Sequence, residues 1–206
     1  MKYDPEVHYR RSTRLKGHDY SRPGAYFVTT VIHGRESILG TIVDDAMRLS
    51  KPGQIVRGVW MNLPRHYPNI QLDVYCIIPN HFHGIIIILD NPRPGRGGSR
   101  WDGSCRGGPH LSEKVPLPEG ETSGEGCLPA RETRPYNRYP LSEFIRAFKS
   151  FSARQINVIR NTPGLPVWQR NYYEHIIRDE GELSRIRRYI TENPLKWAVD
   201  HDNPAK

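Results

Sequence analysis

Two histidines, His81 and His83, sit two positions apart inside a β-branched stretch, Ile77 to Leu89 (IIPNHFHGIIIIL). Apolar, β-branched runs of this kind form strands buried on both faces. Side chains alternate along a strand, so residues two apart share a face. The pair therefore presents two imidazoles side by side. Buried strands seldom carry such groups without partners. Neutral imidazole is a common metal-ligating nitrogen, so the spacing suits a metal clamp. The plainer alternative is two histidines hydrogen-bonded within a core. The clamp alone names no reaction, because a third ligand and a reacting group must come from elsewhere.

A second constellation lies toward the carboxy end. Tyr189 and Asn193 are four apart in a segment of helical periodicity and stack on one side of it. Both lie close to the Ile186/Ile190 line, so both face whatever that helix packs on. If it packs on the sheet, a phenol and an amide arrive beside the histidines. On spacing alone, the ordinary account of such a tyrosine is a core residue with a bonded hydroxyl.

The elements that must position these groups read as follows. Residues 1–22 are a polar, basic arm with Arg10, Arg11, Arg14, Lys16 and Arg22, either a grip on phosphates or a solvated tail. Pro23-Gly24 marks a turn, and Ala25 to His33 predicts the first strand. A small hairpin is expected around Ile42 to Leu49. Ile55, Val59, Trp60 and Leu63 recur at helical spacing, which predicts a helix over Gln54 to His66 with Pro64 near its end. Gln71 to Ile78 alternates, with Leu72, Val74, Cys76 and Ile78 on one face of a strand, and Pro79-Asn80 bends the chain before the histidine strand. Residues 91–136 contain 9 Gly and 7 Pro and lose all periodicity, so they read as a mobile insertion.

The apolar pattern resumes at Leu141. Phe144, Ile145, Phe148, Ile156 and Ile159 predict a helix with Ser142 as its cap. Arg146, Lys149, Arg154 and Arg160 decorate its outside, as a phosphate-facing or merely solvated face. Val167 to Arg178 predicts a strand. Asp179 to Asn193 predicts the last helix, with Leu183, Ile186 and Ile190 as its apolar line and Pro194 at its end.

Composition bounds the answer. A chain of 206 residues is most simply one domain. A net charge of +8 and a pI near 9.5 favour a polyanionic partner. Cys76, Cys105 and Cys127 lack CxxC spacing, which argues against a disulfide frame and for a reducing compartment. With no membrane-length apolar run and a charged start, a cytoplasmic protein without membrane contact is expected.

Taken in order, several landmarks resemble one family. They are the opening strand after Pro23-Gly24-Ala25, then Pro79-Asn80-His81-Phe82-His83-Gly84 and Val167-Trp168-Gln169-Arg170. Tyr173-Glu174-His175-Ile176-Ile177-Arg178 and Tyr189-Ile190-Thr191-Glu192-Asn193-Pro194 follow. The set resembles the HUH single-tyrosine transposases of bacterial insertion sequences, and more narrowly the REP-associated tyrosine transposases. The departure is the long Gly/Pro-rich segment at 91–136.

The resemblance implies an α/β (α+β) domain over residues 23–200, HUH-endonuclease and ferredoxin-like, with a central, mostly antiparallel sheet flanked by helices. It implies that His81 and His83 hold a divalent cation, Mg²⁺ or Mn²⁺, with Asn193 as third ligand. Two imidazoles by themselves suit manganese, zinc or nickel better than magnesium. Tyr189 would be the nucleophile, leaving a 5′-phosphotyrosine link and a free 3′-hydroxyl. The implied substrate is single-stranded or hairpin DNA of the repetitive extragenic palindrome (REP) type. His175 is a candidate helper or a structural hydrogen bonder.

Tyr172 and Tyr173 are rival nucleophiles on opposite faces of a strand, better suited to stacking on an unpaired base or to packing. Trp168 has the same two readings. Arg10, Arg11, Arg14, Lys16, Arg146, Lys149, Trp168 and Arg170 are the DNA-contact candidates. A homodimer and a monomer are both open. Two rivals stand beside the enzyme: a hairpin DNA- or RNA-binding module that has lost cleavage, and a zinc hydrolase with an acidic third ligand.

Overall fold

A computed structural model describes residues 14–15, 17–90, 139–199 and 203. The 91–136 insertion and Arg10, Arg11 and Lys16 lie outside the described residues.

Among the described residues six strands and three α-helices follow one another. They are β1 (Gly24–Val31), β2 (Gly40–Val43), β3 (Ala46–Leu49), α1 (Lys51–His66), β4 (Ile70–Ile78), β5 (His81–Ile88), α2 (Leu141–Arg160), β6 (Tyr173–Ile177) and α3 (Glu180–Glu192). A short 3-10 helix, Pro194–Val199, continues directly from α3. The main sheet runs β4-β5-β1-β6 and every pairing in it is antiparallel. The expected antiparallel sheet with helices on it is therefore the observed fold, and the histidine strand is central. Among the described residues no helix is long and apolar enough to cross a membrane.

Each face of the sheet has its own apolar cluster. On one face Tyr26, Val28, Phe82, Ile86 and Ile88 pack with Val56, Trp60 and Leu63 of α1 and Phe144, Ile145 and Phe148 of α2. On the other, Phe27, Ile85 and Ile177 pack with Ile190, Leu183 and Ile186 of α3. Alternation along β5 thus sends Phe82, Gly84 and Ile86 toward α1 and α2, and His81, His83 and Ile85 toward α3.

Local signals account for most boundaries. Helix α1 begins three residues before the expected start. The Ser50 side chain accepts from the Gly53 amide at 3.2 Å and itself donates to the Ile38 carbonyl at 2.6 Å. A cap of this kind contributes about 1 kcal/mol. The expected cap at Ser142 is not observed. Helix α2 begins one residue earlier, after Pro140, with no side-chain cap.

Two strand expectations need correction. Leu72, Val74, Cys76 and Ile78 do not share one face, because the ladder shifts register between Leu72 and Tyr75. Leu72 and Tyr75 join the α1/α2 cluster, whereas Val74 and Cys76 join the α3 cluster. The predicted strand over Val167 to Arg178 is only β6, preceded by a single bridge between Ile32 and Trp168.

Candidate active site

The β4–β5 turn presents the two histidines. It is stapled from both sides: the Ile32 amide donates to the Asn80 carbonyl at 2.8 Å, and the Leu39 amide donates to the Pro79 carbonyl at 2.9 Å. The Asn80 side chain is fully buried. Its Nδ2 donates to the Arg35 carbonyl at 3.1 Å, which leaves Oδ1 aimed at His81 Nδ1, 2.8 Å away. An amide oxygen only accepts, so Nδ1 carries the proton and the neutral His81 ring keeps its lone pair on Nε2.

His83 is held in the same way from β1. Its Nδ1 lies 2.8 Å from Thr29 Oγ1, and its buried Nε2 has no hydrogen-bond partner. Burial, with the neighbouring His81 adding to it, lowers the His83 pKa to about 3, so the ring is neutral at ordinary pH. The two imidazole centroids are 4.7 Å apart. Phe27 stacks on His83 at 5.5 Å, and Trp197 of the 3-10 helix comes to 6.0 Å from His81.

Helix α3 brings the second constellation to this face. Asp179 caps it by accepting from the Glu182 amide at 2.8 Å. A side-chain ion pair from Arg187 to Asp73 of β4, 2.6 Å at its shortest, ties the middle of the helix to the sheet. Asn193 sits at the C-cap, buried, with its Oδ1 lacking a hydrogen-bond partner. The Tyr189 ring stands edge-on to His83 at 5.4 Å and to Phe27 at 6.1 Å. Tyr189 does not face inward as a core residue would: it is 44% exposed and borders the site.

The arrangement joins neutral imidazoles to two buried polar atoms left without a partner, the His83 nitrogen and the Asn193 oxygen. Unsatisfied buried polar atoms are costly, and a cation would answer both. Among the described residues no three His, Cys, Asp or Glu side chains gather into a metal site. The acidic third ligand of a zinc hydrolase is therefore missing there, and an amide is the available third donor.

The other candidates are placed as follows. The His175 Nε2 is 2.7 Å from Glu182 Oε1, the structural bond that was its alternative reading. Tyr172, just before β6, packs on the α1/α2 side of the sheet and receives a hydrogen bond from Arg14 at 3.0 Å. Burial first, then Glu174, raise the Tyr172 pKa, which disfavours it as a nucleophile. Arg14 also pairs with the buried Glu174 at 3.3 Å. Trp168 is core: it is buried and donates to Ser152 Oγ at 2.9 Å. Lys149 donates to the carbonyls of Gln169, Arg170 and Asn171 at 2.6, 3.1 and 3.2 Å, and burial lowers its pKa to about 8. Arg146 grips Glu143 with two hydrogen bonds. Arg170 remains exposed.

Three residues of the site escaped sequence reading: Asn80, Thr29 and Phe27. Asn80 stood inside the quoted motif, and a buried amide beside a histidine is a signal that could have been used. Thr29 and Phe27 carry no such signal until the β1–β5 register is known.

No family model matches the chain. It is 34% identical over 199 residues, 97% of its length and 96% of the relative's, to an uncharacterized protein of Haemophilus influenzae. A second Haemophilus influenzae protein, described as a candidate REP-associated tyrosine transposase, is 23% identical over 86% of this chain and 74% of its own. A solved structure of a REP-associated tyrosine transposase bound to a REP hairpin superimposes with a TM-score of 0.50 at 17% identity. The match covers 89% of this chain and 73% of that one, and it establishes the shared fold. The chain therefore belongs with the uncharacterized Haemophilus influenzae protein, is similar to the second, and shares its fold with the REP-associated tyrosine transposase of the solved structure.

Proposed function

We propose that the protein is a metal-dependent single-stranded DNA endonuclease and strand transferase that acts on hairpin-bearing DNA, with Tyr189 as its nucleophile. The observation that carries this is the border position of the Tyr189 ring against His83, beside two buried polar atoms that lack partners.

Tyr189 Oη attacks the scissile phosphorus. The bond from phosphorus to the 3′-oxygen breaks, and a 5′-phosphotyrosine and a 3′-hydroxyl result. The phenol proton leaves to solvent, and the departing 3′-oxygen takes one up. Because the ester is conserved, a 3′-hydroxyl attacking the phosphotyrosine restores a continuous strand. A phenol of pKa about 10 is a weak nucleophile near neutrality, so positive charge at the phosphate is needed. His81, His83 and Asn193 would hold a divalent cation, magnesium or manganese, which when bound supplies charge neutralisation and polarisation of the phosphate. Asn80 orients the His81 ring so that Nε2 is the atom it offers, and the Thr29 hydroxyl fixes the His83 ring in place through Nδ1.

The substrate class follows from reach and from relatives. The half-exposed tyrosine at the end of a helix can meet an accessible phosphate such as a hairpin foot, and the structural neighbour was solved on a REP hairpin.

The test is incubation of labelled hairpin oligonucleotides with the protein and Mn²⁺. A denaturant-resistant adduct is expected in the wild type and none in Tyr189→Phe. Hairpin binding with no adduct under any metal would overturn the reaction and leave a binding module.

A further inference from the structure

We propose that Tyr173 is a stacking platform for one unpaired nucleobase of the DNA strand held at this site. The inference rests on the proposed function only for where the strand lies.

The sheet register carries the argument. Thr29 of β1 pairs with His83 on one side and with Tyr173 on the other. Directly opposed residues share a face, so His83, Thr29 and Tyr173 form one row across three strands. Two strand spacings put the Cα atoms of Tyr173 and His83 about 10 Å apart. One or two nucleotides span that distance.

Phe27 is the floor between them. Tyr173 meets it edge-on at 6.2 Å, and Tyr189 meets it at 6.1 Å from the other side. Phe27 itself is buried, yet Tyr173 is 47% exposed. Among the described residues the Tyr173 hydroxyl makes no hydrogen bond, so this ring neither completes the core nor joins a polar network. What it offers is an uncovered π face on a rigid strand, which any base can stack on. Tyr172 is the contrast, half-buried with its hydroxyl engaged by Arg14.

The surroundings fit a nucleic acid. Arg170 and Arg178 flank β6 and both are exposed, although Arg178 also acts on Glu182. Exposed cations before and after the strand that carries the ring suit a nearby phosphate backbone.

The experiment measures binding of hairpin oligonucleotides with a single-stranded flank, in a Tyr189→Phe background that cannot react. An abasic site is walked along the flank. Tyr173→Ala is expected to weaken binding of intact DNA by roughly tenfold, and Tyr173→Trp to retain it. At one abasic position the wild-type ring should lose the same factor and Tyr173→Ala should add nothing. At other positions the two losses should multiply.

Unchanged binding by Tyr173→Ala, or an equal loss at every abasic position, would overturn the proposal. Quenching of 2-aminopurine placed at the sensitive position gives a second readout, expected in Tyr173→Trp and absent in Tyr173→Ala. The abasic pattern without any Tyr189 adduct in the unsubstituted protein would sink the reaction and leave the stacking intact. An adduct without the pattern would do the reverse.

Discussion

Asn80 governs what His81 can offer, although it touches no substrate in the proposed reaction. Its amide is oriented by the Arg35 carbonyl, and its oxygen then accepts a hydrogen bond from His81 Nδ1. A ligating histidine held this way presents the opposite nitrogen without an entropic search. Asn80→Ala removes the acceptor and frees the ring to adopt the other tautomer. The expected result is a roughly 10- to 100-fold loss of Mn²⁺ affinity, the usual scale for such outer partners. Titration with the metal alone, followed by calorimetry or by the manganese resonance signal, measures it. Asn80→Asp keeps an acceptor and should recover most of the affinity. If Asn80→Ala binds manganese as the wild type does, the ring is set by something other than this amide. Thr29 acts on His83 from the neighbouring strand, so the two imidazoles are fixed from different directions.

At the scale of elements, the site depends on how tightly β5 is clamped between two layers. Its histidine face meets α3, and its other face meets α1 through one close contact. The Trp60 indole lies on Gly84, where an added Cβ would stand 2.6 Å from Trp60 Cζ2 and 2.9 Å from Phe82 Cε1. Neither fully buried ring can withdraw without disturbing Phe148, which packs on both. Gly84→Ala should therefore destabilise the protein by about 1–3 kcal/mol, the range for overfilling a packed core. Trp60→Phe vacates part of that space, so the double variant should be less destabilised than the two single losses added together. Denaturant unfolding of the four proteins checks this, and simple additivity would show that the indole is not what excludes the methyl.

The same elements show what could be read in advance. The β5 run, the α1 and α3 periodicities and the small hairpin were legible because each follows one strong local pattern. The facing of β4 was not, since the shift between Leu72 and Tyr75 is set by the pairing with its partner strand. Most of Val167 to Arg178 looked like strand from its aromatic and branched residues. Instead, Trp168 is pulled into the core, and Lys149 holds the carbonyls of residues 169–171 that a ladder would have used. Tyr189, His81, His83 and Asn193 were legible as types and spacings. Their meeting required the fold.

For the whole molecule, the charge of +8 measures attraction to DNA only through cations that are not already answered within the protein. Several are answered. Arg146 is paired with Glu143, Arg160 with Glu36, Arg187 with Asp73, and Lys149 with backbone carbonyls. That removes much of the basic face of α2 from the phosphate-contact candidates and shifts weight to arginines around β6 and α3. Arg170, Arg178, Arg185 and Arg188 are exposed there, although Arg178 and Arg188 also act on Glu182 and Glu192. A cation that neutralises a phosphate displaces a counterion, and each such contact on single strands steepens the logarithmic salt dependence by about 0.7. Arg170→Gln should therefore flatten the slope of hairpin binding against salt by roughly that amount. Arg146→Gln should leave the slope where it is, because its charge is spent on Glu143. Binding titrations at four or five salt concentrations separate the cases. Equal flattening by both variants would mean that the Glu143 pair opens when DNA arrives, and that α2 belongs to the interface after all.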